Sequence, residues 1–124
     1  MDLRDKQRIV QVIGAADTAL AQLQESIQSL ETLGKTAPKE DVQLLKSIER
    51  ALSSLKTNPF VGDHVKHHLW PREFSNLPNL FRVELSQFWR LLYYVTGDEV
   101  RVISVVFDIC DHPHYDKIFG YKKK

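Results

Sequence analysis

The sequence predicts an α+β fold: an N-terminal strand and an antiparallel helical hairpin packed on one face of a small antiparallel sheet. Three observations carry that prediction. Leu80-Phe81-Arg82-Val83-Glu84-Leu85 alternates large apolar and charged residues with period two, as a strand with one buried face does. Residues 89–95 and 100–109 are β-branched and aromatic almost throughout, which suits strands covered on both sides. Upstream, two stretches repeat their apolar residues every three or four positions, the spacing of amphipathic helices.

Taken in order, residues 1–7 are polar and expected to fray. Arg8-Ile9-Val10-Gln11-Val12-Ile13, closed by Gly14, favours a strand at the sheet's edge or opening. A competing reading runs one long helix through Ile9 and Ile13 into the next segment. From Ala15 the helix is plain, with Ala16, Leu20, Leu23, Ile27, Leu30 and Leu33 on one face and Gly34 as its stop. A second helix starts at Pro38, with Glu40 and Asp41 near its positive end. Its stripe is Val42, Leu45, Ile48, Leu52 and Leu55, and it ends before Asn58-Pro59. Two stripes joined by a short link make a helical hairpin whose shared apolar face needs the sheet. Residues 60–79 read as an irregular loop carrying His64, His67, His68 and Trp70, and so long a loop is more often functional than idle. Residues 110–121 read as a tail hanging from the last strand.

At 124 residues and 43% hydrophobic, the chain suits one domain with a real core, spanning 1–124 with residues 122–124 frayed like the start. Seventeen Lys and Arg against sixteen Asp and Glu leave a formal charge of +1, so any electrostatic footprint must come from local clustering. Cys110 is the only cysteine, which leaves no intrachain disulfide and no cysteine-based zinc motif. No apolar run approaches the ~20 residues of a membrane span, and the N-terminus lacks a signal-peptide layout. A cytoplasmic chain with no membrane association is expected.

The hairpin signal Thr96-Gly97-Asp98-Glu99 sets a register with Arg90 opposite Val105 and Leu92 opposite Ile103. One face then holds Trp89, Leu91, Tyr93, Val95, Val100, Val102 and Val106, and is assigned to the helices. The other holds Arg90, Leu92, Tyr94, Arg101, Ile103, Val105 and Phe107. A three-residue connection of Ser86-Gln87-Phe88 sets Glu84 across from Arg90 and gathers Arg82, Glu84 and Arg90 on the second face. A two-residue connection would bury Arg82 and Glu84 under the helices at high cost. Asp111-His112-Pro113-His114-Tyr115-Asp116 can fold towards the same face. Such groups suit RNA cleavage without a metal. A base takes the 2′-hydroxyl proton, cations stabilise the crowded phosphate, and an acid protonates the leaving oxygen. Histidine titrates in the right range, and the arginine fork fits phosphate.

The layout of strand, helical hairpin, Asn58-Pro59…Gly62 and a strand triplet with Phe81-Arg82-Val83-Glu84-Leu85…Trp89-Arg90-Leu91-Leu92-Tyr93 resembles the RelE/ParE toxin superfamily. The ending Asp111-His112…Tyr115-Asp116-Lys117…Phe119-Gly120-Tyr121 resembles a subgroup of it. The resemblance implies the toxin of a type II toxin–antitoxin pair. RelE-like members are ribosome-dependent mRNA endoribonucleases that inhibit translation and use neither metal nor cofactor; ParE-like members inhibit DNA gyrase. It implies that Arg90 stabilises phosphate, that Arg82 faces RNA, and that Tyr115 stacks on or acts at the scissile nucleotide beside His112 or His114. It also implies an antitoxin partner that wraps the toxin, with the ribosome and mRNA as targets. The near-neutral charge departs from the strongly basic ribosome-dependent members. Glu84 stands where RelE-like toxins often carry a second lysine, and it is an alternative base.

Plainer readings stand beside these. Arg82, Glu84 and Arg90 can be a surface ion-pair cluster of little energetic value. Cys110, His112 and His114 have a metal-like spacing, but zinc needs a fourth ligand and a fixed geometry, so no metal is expected. His64, His67 and His68 belong on a solvated loop. Tyr93 and Trp89 fit packing, whereas Tyr94 and Tyr115 are the better stacking candidates and Arg101 a further substrate contact. The alternatives to a nuclease are a ParE-like gyrase inhibitor and an inactive RelE-fold interaction module.

Overall fold

In a computed structural model the described residues are 6–120. The frayed ends expected at residues 1–5 and 122–124 lie outside them, as does Tyr121 of the ending motif. The strands are β1 (Gln7–Val12), β2 (Asp63–His64), β3 (Phe81–Glu84), β4 (Arg90–Gly97) and β5 (Arg101–Cys110). The helices are α1 (Gly14–Thr32), α2 (Lys39–Thr57) and α3 (His112–Phe119). Strand β1 settles the choice between strand and long helix. It takes in Gln7, expected to fray, whose N–H donates to Val100 O at 2.9 Å.

The sheet is mixed, in the order β1-β5-β4-β3-β2, and not wholly antiparallel. Strands β2 to β5 form an antiparallel meander, but β1 pairs with β5 in parallel. Counting passes explains it. The two antiparallel helices return the chain to the end where β1 finished, β2 starts back from there, and the fourth meander strand therefore runs with the first.

Helix α1 ends as its sequence requires. Gly34 takes a left-handed φ of 73°, and Lys35 N–H reaches back to Leu30 O at 2.8 Å. Leu33, expected in the stripe, instead lies exposed beyond the helix. In α2 the buried line is Leu44, Ile48, Ala51 and Leu55, so the helix is rotated from the expected stripe and leaves Val42, Leu45 and Leu52 half-buried. These lines pack on Leu91, Tyr93, Val95, Val102, Val106 and Ile109 of the sheet.

Tyr93 is fully buried, and its hydroxyl donates to Pro59 O at 2.8 Å and accepts from Gly62 N–H at 3.0 Å. That gives the Asn58-Pro59…Gly62 motif a physical role. A Cβ on Gly62 would sit 2.8 Å from both Arg82 O and the Tyr93 hydroxyl, so no side chain fits there without moving backbone. Gly62→Ala is expected to cost about 2 kcal/mol in urea denaturation; a loss below about 0.5 kcal/mol would mean the loop yields freely.

The first hairpin has the expected register. Glu84 faces Arg90, and Ser86-Gln87-Phe88 forms the connection. The second does not. Thr96 pairs with Ile103 rather than Glu99, and Arg90 with Cys110 rather than Val105. The cause is a longer turn, held by Asp98, whose carboxylate accepts from the N–H groups of Val100 and Arg101 at 2.9 Å each. The slip at the turn is by an even number of residues, so side chains from 102 to 107 keep their expected faces. Val100, assigned to the helix face, is in the turn and exposed.

The expected tail is instead helix α3, which covers the sheet face opposite α1 and α2. Asp111 caps it, accepting from His114 N–H at 2.9 Å, Pro113 sits in its first turn, and Gly120 closes it at φ 71°. Beneath it Leu92, Cys110 and Tyr115 form a second core with Phe74, Phe107, Ile118 and Phe119. The irregular loop is thus partly structural. It adds β2, buries Val65 and supplies Phe74 to this second core. No helix among the described residues is long and apolar enough to cross a membrane.

Candidate functional site

Pairing across β3, β4 and β5 lays two rows over the sheet: Arg82, Leu92 and Asp108, then Glu84, Arg90 and Cys110. Both rows face α3. A β-bulge makes this possible. Leu92 pairs with Asp108 but Tyr93 with Val106, so Phe107 is the extra residue. Without that insertion Asp108 and Cys110 would point under α1 and α2.

Tyr115 is the hub. Arg82 Nη1 donates to its hydroxyl at 2.7 Å, and the Arg90 guanidinium carbon lies over its ring, 5.1 Å from the centroid. Phe119, one turn on, stacks against it at 4.5 Å. The tyrosine is only 2% exposed, so a nucleobase cannot stack on it while α3 is docked. The Arg90 side chain is 11% exposed. Its Nη1 donates to Phe88 O, and its Nε lies 3.8 Å from Glu84 Oε1, beyond hydrogen-bond length. That buried Nε has no hydrogen-bond partner among the described residues.

Each histidine of α3 is paired with a carboxylate. His112 Nε2 lies 3.2 Å from Asp116 Oδ2, and His114 Nε2 lies 3.9 Å from Asp108 Oδ2. Both imidazoles are exposed while their carboxylates are more covered, the order in which an acid–base histidine is oriented from behind. Glu84 is exposed at the edge of the cluster. The structure therefore brings together Arg82, Glu84, Arg90 and Tyr115, with His112 and His114 on the same short helix as Tyr115. Tyr94 shares their face, half-buried, with its ring 6.0 Å from Phe107.

Arg101 does not join them. It stands at the opposite end of β5, nine residues before Cys110 and so roughly 30 Å away along the strand. There it pairs with Asp98 at 2.9 Å and holds that carboxylate down at about 2. The loop residues His64, His67 and His68 are exposed, as expected of a solvated loop.

Asp108 escaped sequence reasoning, since its facing depends on a bulge that no residue pattern announced. Burial raises its carboxyl above the usual value near 3.8, and the nearby His114 pulls it partly back. A raised folded value means a stability cost that is absent at low pH. The cost grows as pH rises through the window between the ordinary and the raised values, and is complete above it. Asp108→Asn is therefore expected to melt higher than the parent at neutral pH, with the gap closing in acid. A gap independent of pH would show that charge burial is not its source.

Cys110 is buried, and its thiol is pushed up to about 12 by that burial and by the charges of Asp108 and Asp111. It stays protonated at neutral pH, which suits packing rather than nucleophilic or metal chemistry. Among the described residues, no group of three or more His, Cys, Asp or Glu is placed to hold a metal ion. Comparison with protein-family models, with curated proteins and with solved structures finds no match to this chain.

Proposed function

We propose that this chain is the toxin of a type II toxin–antitoxin pair, with a RelE-like arrangement of strand, helical hairpin and meander. In this reading it cuts mRNA on the translating ribosome without a metal. The observation that supports it best is the convergence of Arg82 and Arg90 on Tyr115, away from the α1–α2 layer, with two imidazoles on the same helix as the tyrosine. Arg90 and Arg82 neutralise the scissile phosphate. His112 or Glu84 takes the 2′-hydroxyl proton, and His114 supplies one to the leaving oxygen. Tyr115 braces the two guanidinium groups, and reaches a nucleotide only if α3 lifts. A cognate antitoxin covers this face.

One observation favours a second reading. The charges of the cluster already have partners within the chain, and Tyr115 is buried under them. A cluster used only to fix α3 would leave a ParE-like gyrase inhibitor or an inert interaction module. Induction in a bacterial host, with primer extension on a translated message, separates the readings. Growth arrest with transcripts cut on ribosomes is expected. Arrest with intact message and a DNA-damage response means gyrase inhibition, and no arrest at all means an inert module.

A further inference from the structure

We infer that Phe88 is a nucleobase-stacking platform at the rim of the arginine–tyrosine cluster, so that the site grips single-stranded RNA by an aromatic face as well as by phosphate charge. The inference rests on the nuclease reading above and adds to it the element that holds a base.

Phe88 is 70% exposed, and it sits in a turn that is costly to build. Gln87 and Phe88 both take left-handed backbone conformations, with φ of 59° and 64°, and neither is glycine. Residues with a Cβ avoid that region, and a bulky aromatic gains nothing there. Three tethers hold the turn in place. Ser86 N–H donates to Ser47 Oγ at 3.2 Å, Gln87 Nε2 donates to Glu40 O at 3.0 Å, and Arg90 Nη1 donates to the carbonyl of Phe88 itself. The first two fix the turn to α2, and the third fixes it to the candidate phosphate-binding arginine. The turn is thus pinned between a rigid helix and the site, with its one large side chain turned to solvent.

A single exposed apolar residue ordinarily needs no explanation. Here two features make one necessary. For stability alone, glycine or asparagine would serve better at φ 64°, and the ring forfeits the burial that would justify an aromatic. Strain held in place by surrounding contacts beside a cluster of functional groups is the usual mark of a residue kept for what it binds. Its surroundings favour RNA over protein. The ring centroid lies 6.1 Å from that of His112, and its own carbonyl is bonded to Arg90. A base on Phe88 would have an adjoining phosphate beside a guanidinium and an imidazole. Aromatic faces interleaved with cations are how single strands are held.

The test pairs thermal melting with mRNA cleavage in a reconstituted translation reaction, using Phe88→Gly, Phe88→Leu and Phe88→Tyr. Phe88→Gly is expected to raise the melting temperature by about 3 °C, because it relieves the left-handed backbone. The same variant is expected to lose cleavage efficiency on the order of tenfold, mainly through a higher KM. Phe88→Leu, apolar but without a ring face, is expected to lose as much, and Phe88→Tyr to keep wild-type cleavage. A merely structural role would move stability and cleavage down together, and would overturn the inference. So would undiminished cleavage by both Phe88→Gly and Phe88→Leu, or wild-type cleavage by Phe88→Leu alone. A variant that cleaves normally but no longer binds a co-expressed antitoxin would make the ring a protein contact, again overturning it. Cleavage by the parent that needs Arg90 but not Phe88 leaves the proposed function standing. A parent that cuts no message removes that function and this inference together.

Discussion

Tyr115→Ala is expected to lower the unfolding free energy by about 4 kcal/mol, the middle of the range for deleting a buried aromatic. The ring contacts three groups at once: the Arg82 and Arg90 side chains on the sheet, the apolar patch of Leu92 and Cys110, and Phe119 on its own helix. Helix α3 spans only eight residues, too few to persist without docking. Tyr115→Phe keeps the ring beneath Arg90 and removes only the hydroxyl. It should cost about 1.5–3 kcal/mol, the value of a hydrogen bond to a charged group. A double-mutant cycle with Arg82→Ala should return a coupling near that figure. Urea denaturation of the two variants checks both values. A loss below about 1 kcal/mol for alanine would mean that α3 is held by something other than its tyrosine.

Arg90→Ala is expected to reduce ribosome-dependent cleavage by on the order of 10²- to 10³-fold, the usual cost of removing one preorganised donor to a developing charge. The position warrants that expectation. The guanidinium is held from three sides by the Phe88 carbonyl, the Tyr115 ring and the Glu84 carboxylate, so it meets an incoming phosphate with little reorganisation. Arg90→Lys keeps the charge but neither the planar fork nor its stacking, and should recover only part of the loss. Arg90→Ala also loses a cation–π contact worth about 1 kcal/mol, so melting must accompany the assay and a folded but inactive protein is the informative result. Full activity in Arg90→Ala would remove the phosphate-binding role and leave Arg90 as a brace for α3.

Much of the scaffold was legible because it depends on local pattern. Period-two alternation over residues 80–85 and the three-residue connection gave the Glu84–Arg90 pairing, since the alternative would have buried two charges. The second hairpin misled because Gly97-Asp98 signals a two-residue turn, whereas the Asp98 carboxylate organises a longer one. Helix α3 had its own signature in Asp111, Pro113 and Gly120, a cap, a first-turn proline and a left-handed stop. Its eight residues gave too little apolar periodicity to stand out. Asp108 and Phe88 carried no readable signal, because one depends on a bulge and the other on a left-handed turn without glycine.

The sequence by itself determined on which side of the central strands residues 90–95 and 102–107 lie, and that two arginines and a glutamate share one of them. Away from a bulge, side-chain direction alternates along a strand, and an even slip in pairing leaves it untouched. Only the tertiary structure decided that the parallel pairing of β1 completes the sheet, that α3 closes its second face, and that Tyr115 is covered rather than displayed. Each of these is set by contacts between segments distant in sequence. The physical reason is that a bulge or a four-residue turn changes the partner of every residue beyond it while changing almost nothing in local composition.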